Sequence, residues 1–177
     1  MKAFCMAVAI TLLTTMPVRA QGISYAWWVK ATFEPREEMV EGVPLRDIDR
    51  KWLRASALRA ADLPAEAAEK GETPEAYGFA LALEADLDGD GSLERAVVGV
   101  FQTRSGEVGR FLLILGRSGP TAPWTKRALF SETGAAGFSA LAMKNTTLLW
   151  VTCFECDTGC GVVYRLWRFR LQCYSCC

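Results

Sequence analysis

One stretch of the sequence limits the possible folds more than any other. From Phe79 to Gln102 it reads FALALEADLDGDGSLERAVVGVFQ. An alternating apolar run descends into Asp86-Leu87-Asp88-Gly89-Asp90-Gly91-Ser92-Leu93-Glu94, and a second apolar run, Ala96 to Phe101, leaves it. Period-two alternation is the mark of a strand, and Asp-Gly pairs between two such runs mark a hairpin. The stretch therefore predicts two β-strands joined by a loop with a carboxylate at every second position.

The rest of the chain is read outward from that hairpin. Strand patterns fall at Gly78–Asp86, Arg95–Gln102, Arg110–Leu115, Trp124–Phe130, Phe138–Met143, Leu148–Cys153 and Val162–Gln172, separated by short Gly-rich or polar breaks. Such short connections, with no helix between them, favour antiparallel pairing. Before the hairpin, Ile23 to Phe33 alternates as a first strand, with Trp27 on its apolar face and Trp28 directed the opposite way, towards solvent. Ile48, Trp52, Ala55 and Leu58 then recur at three-to-four spacing behind Asp47 as N-cap, which predicts an amphipathic helix over Ile48–Ala61. Pro64 suits the first position of a short second helix, Ala65 to Lys70, which Gly71 stops. The expected fold class is α+β: a twisted antiparallel sheet of about six to eight strands, with the Ile48 helix packed on one face.

The loop has the composition of a calcium site. Calcium takes six to eight oxygens at flexible distances, and alternation of ligand with non-ligand delivers them. Asp86, Asp88 and Asp90 occupy positions one, three and five, Gly91 follows where the chain must turn, the Ser92 carbonyl falls at seven and Glu94 at nine. This first half resembles an EF-hand loop, but position twelve is Val97 and the flanks read as strands. The loop more closely resembles the D-x-D-x-D-G-x-x-D/E hairpins of FG-GAP and VCBS-type repeats, as in integrin β-propellers. The likeness covers residues 79–102 and occurs once, without the Phe-Gly and Gly-Ala-Pro signatures of those repeats. It implies a metal-holding hairpin, with calcium as a structural ion, and not a propeller. The competing reading is a plain Asp-Gly turn, against which stands the mutual repulsion of four acids offset in sequence by Arg95 alone.

The first twenty residues read as an export signal: Lys2 is the positive n-region, Ala3 to Met16 the apolar segment, and Val18-Arg19-Ala20 a cleavage site. The alternative is an uncleaved anchor. Cleavage near Gln21 would leave a single domain, residues 21–177, that is periplasmic or extracellular. The 20 basic and 20 acidic residues balance, and loss of Lys2 and Arg19 would leave a net charge of −2. Such a chain carries no electrostatic footprint for nucleic acid and no segment for stable membrane insertion. There is no histidine, which removes Ser-His-Asp and Cys-His nucleophiles, imidazole acid–base chemistry and imidazole metal ligands. The carboxylates Glu34, Glu37, Glu38 and Glu41 read as a solvated connection and not as an acid/base pair.

Beyond Cys5, the cysteines crowd the last quarter: Cys153, Cys156, Cys160, Cys173, Cys176 and Cys177. In an exported chain an even set reads as disulfides, here with Cys160 expected to bridge back to Cys153 or Cys156 across a turn. The rivals are a four-thiolate zinc site, from Cys153-x2-Cys156 and Cys173-x2-Cys176, and free or redox-active thiols. Together these readings predict an exported, calcium-stabilised, disulfide-pinned module that binds an unidentified protein or other macromolecule. The alternatives are a carboxylate-dependent hydrolase built on the acidic loop and a zinc module.

Overall fold

A computed structural model describes residues 26–153, 159–165 and 168–174. The export segment, Cys156, Cys176 and Cys177 lie outside them. Among the described residues the protein is mostly antiparallel β-structure, with eleven strands and three α-helices of no more than five residues. In chain order the strands are β1 (Met39–Val40), β2 (Val43–Pro44), β3 (Trp52–Ala57), β4 (Ala82–Ala85), β5 (Glu94–Thr103), β6 (Val108–Gly116), β7 (Thr125–Thr133), β8 (Ala140–Lys144), β9 (Thr147–Val151), β10 (Gly159–Arg165) and β11 (Arg168–Tyr174). They form three sheets: a β1–β2 ribbon, a four-stranded sheet ordered β11-β10-β9-β8, and a five-stranded sheet ordered β3-β5-β6-β7. The fifth strand, β4, pairs with β5 beyond the end of β3: Ala82–Ala85 lie along Glu94–Val97, whereas β3 lies along Gly99–Thr103.

The middle of this arrangement is β5 with β6. Ala96, Val98, Leu112 and Ile114 face one core, shared with Leu141, Leu148, Trp150 and Val162 of the four-stranded sheet. Val97, Phe101, Phe111, Leu113 and Leu115 face a second core, closed by Val40, Val43, Leu45, Ile48 and Trp52. A strand covered on both faces has no wet side, so its sequence runs apolar almost without interruption, as AVVGVF does. Within the second core, Gly99 is paired with Phe111 and Gly109 with Phe101. A Cβ at Gly99 would overlap the Ser56 carbonyl and the Phe111 ring, and one at Gly109 would overlap the Glu132 carbonyl and come within 2.7 Å of the Phe101 ring. The two rings lie over bare backbone, and Trp52 stacks on Phe101 at 4.7 Å.

Three sequence expectations are corrected. The helix over Ile48–Ala61 is instead one helical turn, α2 (Leu45–Ile48), followed by strand β3. Asp49 accepts the Lys51 amide at 2.9 Å and breaks the helix, and a bulge at Leu53 inserts an extra residue between the pairs Trp52–Thr103 and Arg54–Gln102. The bulge puts Trp52 and Ala55 three apart on the buried side, which imitates helical spacing. The strand at Ile23–Phe33 is instead a single turn, α1 (Trp27–Lys30), followed by the bridge Thr32–Gly137; Ile23 to Tyr25 lie outside the described residues. Neighbours on a helix are about 100° apart and not opposed. Trp28 therefore shares the core with Trp27, at 6% exposure, and does not face solvent. Finally, Val162–Gln172 is not one run but the facing arms of the β10–β11 hairpin, and with the unforeseen β1, β2 and β3 the described residues hold eleven strands in three sheets instead of six to eight in one. The short helix at Ala65–Glu69, α3, stands where Pro64 places it.

Candidate metal centre

The loop between β4 and β5 is folded by its own carboxylates. Asp86 Oδ1 accepts the amides of Gly89 (2.7 Å) and Asp90 (3.1 Å), and its Oδ2 accepts that of Gly91 (3.0 Å). Asp88 Oδ1 accepts the Asp90 amide at 3.2 Å, and Asp90 Oδ1 accepts the Ser92 amide at 2.7 Å. Asp suits this work because its short side chain reaches amides two or more residues on, and glycine suits the turns, with φ of 79° at Gly89 and 87° at Gly91. Leu87 points inward to the first core and fastens the loop to the sheet.

Glu94 opens β5 opposite Ala85 and is 1% exposed. Its Oε2 accepts the Leu87 amide at 2.9 Å. Burial pushes its carboxyl up from the ordinary glutamate value; the Leu87 amide opposes that rise, and the nearby Asp88 charge adds to it. Asp90 moves the other way, held down by the Ser92 amide and hydroxyl. One oxygen from each of Asp86, Asp88 and Glu94 falls within 4.8 Å of the others, the spacing of ligands around one cation. Asp90, also expected in the site, stands outside that set of three carboxylates.

The counter-charge is not where the sequence placed it. Arg95 turns away, to Glu41 and Glu84, each at 2.9 Å. Instead Arg127 Nη2, from β7, meets Asp88 Oδ2 at 2.7 Å. No local signal in the sequence marks this arginine, because the contact spans 39 positions and depends on two intervening strand pairings.

The acids of the N-terminal connection are each paired with an arginine: Glu34 with Arg36, Glu37 with Arg59, Glu38 with Arg54 and Glu41 with Arg95. Glu34 and Glu37 line part of a cleft of about 560 Å³ between residues 32–37 and 56–62, where Asp62 is also engaged, by the Arg59 amide.

At the other end, Cys160 is bonded to Cys173, its register partner on β11, and not back to Cys153 or Cys156. Cys153 is also disulfide-bonded. Oxidation of Cys153 and Cys173 takes both out of the four-thiolate zinc set. No helix among the described residues is long and apolar enough to cross a membrane. Comparison with protein families, characterised proteins and solved structures found no match to this chain.

Proposed function

We propose that the chain is an exported, non-catalytic binding module whose β4–β5 hairpin is clamped by calcium. The observation that carries this reading is the convergence of Asp86, Asp88 and Glu94, with Glu94 buried. A buried carboxylate beside two others calls for a cation, since an uncompensated charge away from water is strongly disfavoured. As in the loops the sequence resembles, the Ser92 carbonyl adds a further oxygen. The Cys160–Cys173 bond supports an oxidising compartment, and the histidine-free composition supports a binding role over catalysis. The ligand is a protein or other macromolecule, and the near-neutral charge argues against nucleic acid.

The burial-raised carboxyl of Glu94 favours one competing reading, a hydrolase in which the ion and Glu94 act on substrate. Asp88→Ala separates the two. The structural role requires loss of calcium-dependent stability in a chain with no activity to lose, whereas the catalytic role requires a stable chain that loses turnover.

The direct test is a thermal melt of the mature chain in calcium and in chelator. Loops of this kind bind at about 10⁻⁴–10⁻³ M. At a hundred times that dissociation constant the gain is about 2.7 kcal/mol, or about 5–10 °C for a chain of this size. Superimposed curves would overturn the reading.

A further inference from the structure

Arg127 occupies a position built for it. In the β6–β7 pairing, Ile114 faces Ala128 but Leu115 faces Lys126, so Arg127 is the extra residue of a β-bulge. A bulge re-aims a side chain out of the ladder, and this one sends the guanidinium across to the loop. Its stem lies over Gly116, where a Cβ would stand 2.9 Å from Arg127 Cγ. The ion pair that results is asymmetric: the Asp88 side chain is 3% exposed and Arg127 40%. The carboxylate is buried, and the guanidinium reaches it from the solvent side.

We infer that Arg127 and a divalent cation are alternative neutralisers of the same loop, so that the arginine sets how tightly the ion is held. This rests on the reading that the loop takes calcium. In the metal-free protein Arg127 offsets the charge of Asp88 and lets Asp86, Asp88 and Glu94 remain together. When the ion arrives it takes over that role, and the guanidinium, repelled at close range, swings over Gly116 into water. Affinity is then lowered by the free energy of displacing the arginine, and the site responds to millimolar calcium without losing its shape when calcium is absent.

The experiment measures calcium binding by calorimetry, and melting in chelator and in calcium, for the wild-type chain, Arg127→Gln and Arg127→Lys. Removing one positive charge at contact distance from a ligand carboxylate tightens calcium binding by about tenfold or more, even after allowance for solvent screening. Arg127→Gln therefore binds at least about tenfold tighter and melts lower in chelator, while Arg127→Lys keeps an affinity within about threefold of wild type. If Arg127→Gln is unfolded in chelator, recovery on adding calcium supports the inference and failure to recover overturns it. A wild-type chain that responds to calcium, with Arg127→Gln binding equally or more weakly, overturns the inference and leaves the calcium loop standing. If neither chain responds to calcium, both readings fall.

Discussion

The β4–β5 and β10–β11 hairpins are both antiparallel ribbons, yet they are secured by different means. β5 is covered on both faces, from Ala96 through Phe101, and its pairing is held by packing. β11 alternates: Arg168, Arg170 and Gln172 face water while Phe169 and Leu171 rest against the first core. A strand buried on one side gains roughly half as much from apolar burial, and this one carries a covalent tie, Cys160–Cys173, between register partners. β5 carries no such tie, and the loop at its start is held by hydrogen bonds to Asp86 and by the Arg127–Asp88 ion pair. Packing holds the middle of this protein, a disulfide its thin margin, and electrostatics the part open to solution.

The strongest attack on that contrast is at Gly99. Gly99→Val forces a side chain into the Ser56 carbonyl and the Phe111 ring, and the loss should exceed about 3 kcal/mol in urea unfolding, with calcium unable to restore it. Replacing Cys160 and Cys173 together by serine opens a link across 13 positions, worth about 3 kcal/mol on chain-entropy grounds. That loss should appear in hydrogen exchange as faster opening of β10 and β11, with β5 and β6 still protected. Equal loosening of both hairpins would break the contrast. Next in size is Asp88→Ala, which should abolish the calcium-dependent rise in melting temperature, about 2.7 kcal/mol at saturation, without disturbing β10–β11.

The smallest effect is a pH slope. Burial places Glu94 above its ordinary value of 4.5 in the folded protein. Between those two values the folded chain keeps a proton that the unfolded chain has released, so metal-free stability falls as pH rises through that window. Asp90, held below its ordinary value by the Ser92 amide, contributes in the opposite sense, and its share is lost as pH falls through that lower range. Glu94→Gln should remove the first slope in chelator, read as melting temperature against pH, and saturating calcium should flatten it in the wild type.

The strand content, the hairpin at Phe79–Gln102 and the short helix after Pro64 were legible because each rests on local pattern: alternation, Asp-Gly turns and a proline at a helix start. The Asp86, Asp88 and Glu94 grouping followed from spacing for the same reason. What could not be read depends on the chain meeting itself. The bulge at Leu53 gave β3 the spacing of a helix, and the single turn at Trp27 let two adjacent tryptophans enter one core. The β10–β11 hairpin read as one run because no Gly, Pro, Asn or Asp between Val163 and Leu171 marks a turn. Arg127 was invisible for the same cause, since only the folded sheet carries it to Asp88.

The paired glycines and phenylalanines of β5 and β6 have a consequence for how the ribbon finds its alignment. Sliding the two strands by two residues would bring Phe101 against Phe111 or set Gly99 against Gly109, leaving a collision in one direction and a hole in the other. One offset alone seats both rings, so the ribbon behaves like a detent. A slip of two residues in either direction therefore leaves the second core with a clash or a void.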